Sequence, residues 1–129
     1  KPSNLLLSEE GVVKISDFGL SAQLEHSLSK NYPICGTSHY LAPEGYHGGL
    51  ELKSDVWALG ISIIEMAEGK NPFDDDSSAQ VMKKVCDGEP PSLSSSGWSD
   101  DLIDFVKRCL VKDVNERASA DELLKVGVS

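Results

Sequence analysis

The sequence predicts a mainly helical α+β domain, a short β-hairpin followed by about five helices. Three observations predict it. Two brief apolar runs, Leu5-Leu6-Leu7 and Val12-Val13-Lys14-Ile15, flank the polar, glycine-ended spacer Ser8-Glu9-Glu10-Gly11, which is the pattern of a hairpin. Beyond position 54, apolar residues recur at helical spacing. Residues suited to opening and closing helices stand at the ends of those stretches. At 129 residues the chain can form one compact domain with a real core, and no internal repeat divides it.

Taken in order, the hairpin comes first, over residues 5–15. Residues 20–41 show no sustained period and hold Ser21, Ser27, Ser29, Tyr32, Pro33, Gly36, Thr37 and Ser38. A loop of that length in a compact domain is usually functional or disordered. Ala42 to Tyr46 is expected to form one helical turn, since Pro43 suits a first helical position. Ser54 is expected to cap a helix over 55–67 that is apolar on nearly every side and therefore buried. Gly69 is its expected C-terminal cap. Ser77 and Gln80 make a capping box for a helix through about Cys86. Residues 88–97, with Pro90, Pro91 and four serines, read as loop.

Ser99 starts the next helix, with Asp100 and Asp101 at its positive end. Leu102, Ile103, Val106, Cys109 and Leu110 give that helix a core face. Ser119 with Glu122 is a further capping box and opens a last helix through Leu124.

The composition excludes several classes. A net charge of −9 with only 6 % aromatic residues argues against a nucleic-acid-binding face, which needs clustered Lys and Arg. No apolar run reaches the ~18–20 residues of a membrane span. Cys35, Cys86 and Cys109 are odd in number and lack paired spacing, so neither a disulfide scaffold nor a zinc site is expected. Reduced thiols fit a cytoplasmic location.

One ordered set of motifs carries chemistry. Lys1-Pro2-Ser3-Asn4 comes first, then Asp17-Phe18-Gly19, then Gly36-Thr37-Ser38-His39-Tyr40-Leu41-Ala42-Pro43-Glu44, then Asp55-Val56-Trp57. Asn4 lies just before one predicted strand and Asp17 just after the other, so the hairpin brings them together. An Asn amide oxygen and an Asp carboxylate are hard donors of the kind Mg²⁺ prefers. A hydroxyl-rich loop between two anchors is one that phosphorylation can order.

In that order the motifs resemble the C-terminal lobe of a eukaryotic protein kinase, over nearly all of the chain. Lys-Pro-Ser-Asn and Thr37 resemble the serine/threonine type. Within it, Ile64-Glu65-Met66-Ala67-Glu68-Gly69-Lys70-Asn71-Pro72-Phe73 is similar to the germinal-centre-kinase branch of the STE group, while Gly36-Thr37-Ser38-His39-Tyr40 is also similar to the MAP kinase kinases. The resemblance implies ATP- and Mg²⁺-dependent phosphorylation of protein Ser/Thr hydroxyls, in a MAP-kinase-type cascade, by the complete domain. Lys1 would approach the γ-phosphate, while Asn4 and Asp17 would hold metal and nucleotide.

Phe18 would pack inward, and Gly19 would permit the backbone excursion beside it. Thr37 would bridge Lys1 and the catalytic base, and 38–41 would form the substrate platform. Asp55 would anchor the catalytic-loop backbone. Glu44 and Arg117 would form a buried ion pair that ties the activation segment, 17–44, to the end of the lobe.

The sequence also departs from the family. No glycine-rich loop, no Val-Ala-Ile-Lys strand and no His-Arg-Asp is present. The chain therefore reads as a partial kinase domain over 1–129, its N-terminal lobe missing, and is expected to be inactive alone. The usual activating Thr position holds Pro33, which moves the phosphorylation candidates to Ser27, Ser29 and Thr37. Expected partners are a protein substrate, possibly another kinase, and an upstream activating kinase, with no nucleic acid and no membrane. The alternative is a pseudokinase or truncated scaffold that binds partners through its helical surface.

Overall fold

Trp57, Ile61 and Ile64 stand three or four residues apart, which puts them on one side of a helix, and the domain is built on that side. The computed structural model of the chain describes residues 1–19, 38–94 and 96–127. Among these it holds β1 (Leu5–Leu7), β2 (Val13–Ile15), α1 (Pro43–Tyr46), α2 (Ser54–Glu68), α3 (Ser78–Asp87), α4 (Asp100–Cys109) and α5 (Ala120–Leu123). Single 3₁₀ turns at Pro2–Asn4 and Ser38–Tyr40 complete it. The α+β, mainly helical expectation holds, with the hairpin and five helices where the sequence places them.

The core gathers around α2. Trp57, Ile61 and Ile64 meet Val81 and Val85 of α3, Val106 and Cys109 of α4, Leu110, Phe73 and Leu123. Gly69 ends α2 in the left-handed conformation, φ 73°, and donates its N–H to the Glu65 carbonyl. The capping boxes Ser77/Gln80 and Ser119/Glu122 form as the sequence predicts, and Ser99 Oγ accepts from Leu102 N–H.

The start of α2 differs from expectation. Lys53, not Ser54, is the residue before the first helical turn. The Ser54 hydroxyl instead accepts from Glu51 N–H and donates to Glu44 Oε1 at 2.8 Å. A longer-range carboxylate has outcompeted the local cap.

Helices α2 and α4 approach closely because Gly60 has no side chain. A Cβ placed there would lie 2.8 Å from both Cys109 Cβ and Leu110 Cδ2. Gly60→Ala gains about 1 kcal/mol of helix propensity, but such overpacking costs about 1–3 kcal/mol. A net loss of stability is expected, read as a lower urea midpoint; a raised midpoint would show that the two helices separate without strain.

The hairpin stands apart from this core. Strands β1 and β2 pair antiparallel with Leu5 opposite Ile15, Leu6 opposite Lys14 and Leu7 opposite Val13. A two-stranded hairpin is marginal in water by itself. Leu6, Leu7, Val13 and Ile15 are all more than half exposed, with Leu7 at 72 %. Leu7, Val13 and Ile15 share one face of the hairpin, and exposed apolar side chains grouped in this way mark an interaction surface.

Candidate active site

The hairpin register decides the first part of the site. One residue beyond the Leu5–Ile15 pair, Ser16 N–H donates to the Asn4 carbonyl at 2.8 Å, and Ser16 Oγ adds a second bond at 3.2 Å. Asn4 N–H in turn donates to the Lys1 carbonyl at 2.9 Å, closing the 3₁₀ turn. Lys1, Asn4 and the residue before Asp17 are thus joined by backbone hydrogen bonds. Asp17 follows in the left-handed region at φ 64°, a conformation costly for residues other than Gly and best tolerated by Asn and Asp. Among the described residues, no hydrogen bond occupies the side chain of Asn4 or Asp17.

Two expectations change here. The backbone excursion expected at Gly19 falls on Asp17 instead, and Gly19 has no positive φ. Phe18, expected to pack inward, is 67 % exposed. It adds a further exposed apolar side chain three residues beyond β2.

The second part ties the stretch after position 37 to the core. Arg117 is fully buried, and it donates from Nη1 to Glu44 Oε1 at 2.7 Å and from Nη2 to Oε2 at 2.9 Å. Its remaining donors reach the carbonyls of Val111, Lys53 and Lys112. The guanidinium also lies over the Trp57 ring, 5.3 Å from its centroid. Burial alone would raise the Glu44 carboxyl, but hydrogen bonds from Arg117, its own backbone and Ser54, with the Arg117 charge, hold it below its ordinary value. The predicted bidentate pair is present. Sequence reasoning missed Ser54 and the Trp57 ring as its supports.

The third part is the platform that Ser38–Tyr40 makes beside α1. Tyr46 Oη donates to the Ser38 carbonyl at 2.8 Å. Tyr40 Oη donates to Glu65 Oε2 at 2.5 Å, and the same oxygen accepts from Asn71 Nδ2 at 2.8 Å. Asn71 is itself buried, and its Oδ1 accepts from Phe73 N–H. Burial, reinforced by the Glu65 hydrogen bond and charge, pushes the Tyr40 phenol up to about 12, so it remains a donor to Glu65 at neutral pH. No spacing or capping pattern in the sequence assigns Glu65 a role. The only signal for it was an acid inside an otherwise apolar helix.

Asp55 lies exposed in the first turn of α2. Thr37, Ser27 and Ser29, with Pro33 and Cys35, lie outside the described residues. The free thiols described are Cys86 and Cys109; burial pushes the latter up to about 12, so it is an inert core residue.

Comparisons with known proteins show the family. The family model described as the protein kinase domain matches residues 1–127. The chain belongs to the protein kinase domain family. It is 39 % identical over 127 residues to the serine/threonine-protein kinase hippo of Drosophila melanogaster, an alignment covering 97 % of this chain and 19 % of that relative. The chain therefore spans about one fifth of that relative's length. The match supports the resemblance to serine/threonine kinases of the STE group. The Glu44–Arg117 pair joins α1 to the segment after α4, and the Ser16-to-Asn4 hydrogen bonds hold the two ends of the hairpin side by side.

The donor set also fits the metal that this family implies. Mg²⁺ takes one or two protein oxygen ligands and completes its shell with water and phosphate. Asn4 and Asp17 supply one amide oxygen and one carboxylate, neither of them committed to another group among the described residues. No helix among those residues is long and apolar enough to cross a membrane.

Proposed function

We propose that this chain is the metal-holding and substrate-facing part of a protein serine/threonine kinase, active when the rest of the domain is present. The observation that carries the reading is the Ser16-to-Asn4 hydrogen bonding. It sets Asn4 and Asp17 at the same end of the hairpin, with Asp17 held in a strained conformation. Strain of this kind gathers at functional sites.

Asn4 and Asp17 would hold Mg²⁺ on the phosphates of ATP. The metal, when bound, neutralises charge that develops on the transferring group. Lys1 would add its own positive charge toward the γ-phosphate. The Ser38–Tyr40 platform, braced by Glu65, would position the peptide that carries the acceptor Ser or Thr. The proton acceptor would come from a His-Arg-Asp segment, which these 129 residues do not contain. Asp55 would brace the backbone of that segment.

The similarity to a STE-type kinase supports a place in a MAP-kinase-type cascade in the cytoplasm, with another kinase as substrate. Activation would come from an upstream kinase acting on Ser27 and Ser29, with Thr37 a further candidate. The test is transfer of labelled phosphate from ATP by the full-length protein, with Mg²⁺ present and absent. Mg²⁺-dependent label on Ser and Thr of a general protein acceptor, and none on Tyr, is the expected result. No transfer by the full-length protein, once treated with an activating kinase, would favour the scaffold reading instead.

A further inference from the structure

The segment 88–94, Gly-Glu-Pro-Pro-Ser-Leu-Ser, belongs to neither the hairpin nor the platform, and it is tied down at both ends. At its start, Lys112 Nζ donates to the carbonyls of Cys86 at 2.6 Å and Gly88 at 2.9 Å, closing the C-terminal end of α3. At its far end one carboxylate takes both donors of one residue. Ser94 N–H donates to Glu68 Oε1 and Ser94 Oγ to Glu68 Oε2, each at 2.9 Å. Glu68 is the last residue of α2, 26 positions earlier in the chain.

Between the two ties, Leu93 packs against the core, and Pro90 and Pro91 limit the backbone. The segment forms one wall of a cleft of about 570 Å³, lined also by Ile64, Phe73 and Glu68.

The two ties differ chemically. One uses an ammonium group, partly buried. The other uses the hydroxyl of an exposed serine. We propose that Ser94 is a phosphorylation site whose modification releases this strap from α2. In the reaction the bond between the γ-phosphorus of ATP and its bridging oxygen breaks, and a bond from Ser94 Oγ to that phosphorus forms. ADP leaves, and the hydroxyl proton passes to the base of the kinase acting in trans. The product lacks the hydrogen that Ser94 Oγ donated. It also sets a charge of about −1.5 to −2 against the Glu68 carboxylate, the arrangement in which a phosphate disrupts rather than orders. Lys112 still holds the Gly88 end, so the strap swings out instead of detaching. The cleft then opens onto Ile64 and Phe73.

Two measurements on the full-length protein test this. Phosphopeptide mapping of protein purified from eukaryotic cells under phosphatase inhibition is expected to find phosphate on Ser94, and its absence there overturns the assignment. Separately, phosphoserine is installed at position 94 during synthesis and amide hydrogen exchange is followed over residues 88–94. At least a tenfold faster exchange is expected at the Ser94 amide, while the Lys112-held Gly88 end stays protected. In Glu68→Gln the same phosphate meets a neutral amide that can donate to it, and the phosphate-induced increase should shrink to about twofold or less. Unchanged exchange on phosphorylation, or an equal increase in the parent and in Glu68→Gln, overturns the mechanism.

Discussion

Arg117→Met is expected to lower the stability of the domain by about 3–5 kcal/mol. The guanidinium is fully buried, and its donors are divided between one carboxylate and three backbone carbonyls. Removing it strands the Glu44 carboxylate with Ser54 as its remaining side-chain donor, and leaves the carbonyls of Lys53, Val111 and Lys112 without this partner. Equilibrium denaturation in urea measures the loss. Adding Glu44→Gln to Arg117→Met should recover part of it, because the stranded charge is then gone and the two effects are coupled. Losses that simply add would show that the pair does not act as a unit.

The acid dependence follows with a definite sign. Glu44 titrates below its unfolded value of 4.5 in the folded chain. Its contribution is therefore fully present above that value and fades as pH falls through the lower folded value. The parent should lose stability steeply below pH 4.5, and Arg117→Met should show a shallower acid limb.

Asp17→Asn in the full-length protein is expected to reduce phosphoryl transfer by about 10²–10³-fold or more, the scale of losing one group aimed at developing charge. Asn is the informative substitution because it tolerates the left-handed conformation at φ 64° and changes little besides the charge. The denaturation midpoint should stay within about 0.5 kcal/mol of the parent. Asp17→Ala confuses the two effects, since Ala at that φ adds a backbone cost of about 1–2 kcal/mol. Full activity in Asp17→Asn would remove this carboxylate from the metal site.

What the sequence makes legible is mostly local or strongly patterned. The Ser77/Gln80 and Ser119/Glu122 boxes can be read because both partners lie within one helical turn. The hairpin can be read because its turn residues and apolar runs are contiguous, and its register then places Asn4 beside Ser16. The Glu44–Arg117 pair comes from family resemblance; at a separation of 73 positions it carries no local signal. Ser54 misleads for the opposite reason. It has the chemistry of a cap, but a carboxylate ten positions away competes for its hydroxyl.

Glu65, Tyr40 and Asn71 converge only after α2 has packed, so their network is invisible to spacing. The strain at Asp17 is expected at Gly19 because glycine is the usual left-handed residue, while Asp, among the better tolerated exceptions, stands two positions earlier. Phe18 is expected inside, but it is 67 % exposed three residues beyond β2, where no periodic pattern signals which way it faces.

Asn4 and Asp17, joined through the hairpin, would hold one metal–nucleotide site. Manganese binding in the presence of ATP, followed by electron paramagnetic resonance on the full-length protein, tests it most directly. Asn4→Ala and Asp17→Asn should each weaken binding, and the double variant should lose less than the sum of the two, as expected for ligands that share one ion. Binding that survives both substitutions at parental strength, or two losses that add in full, would contradict it.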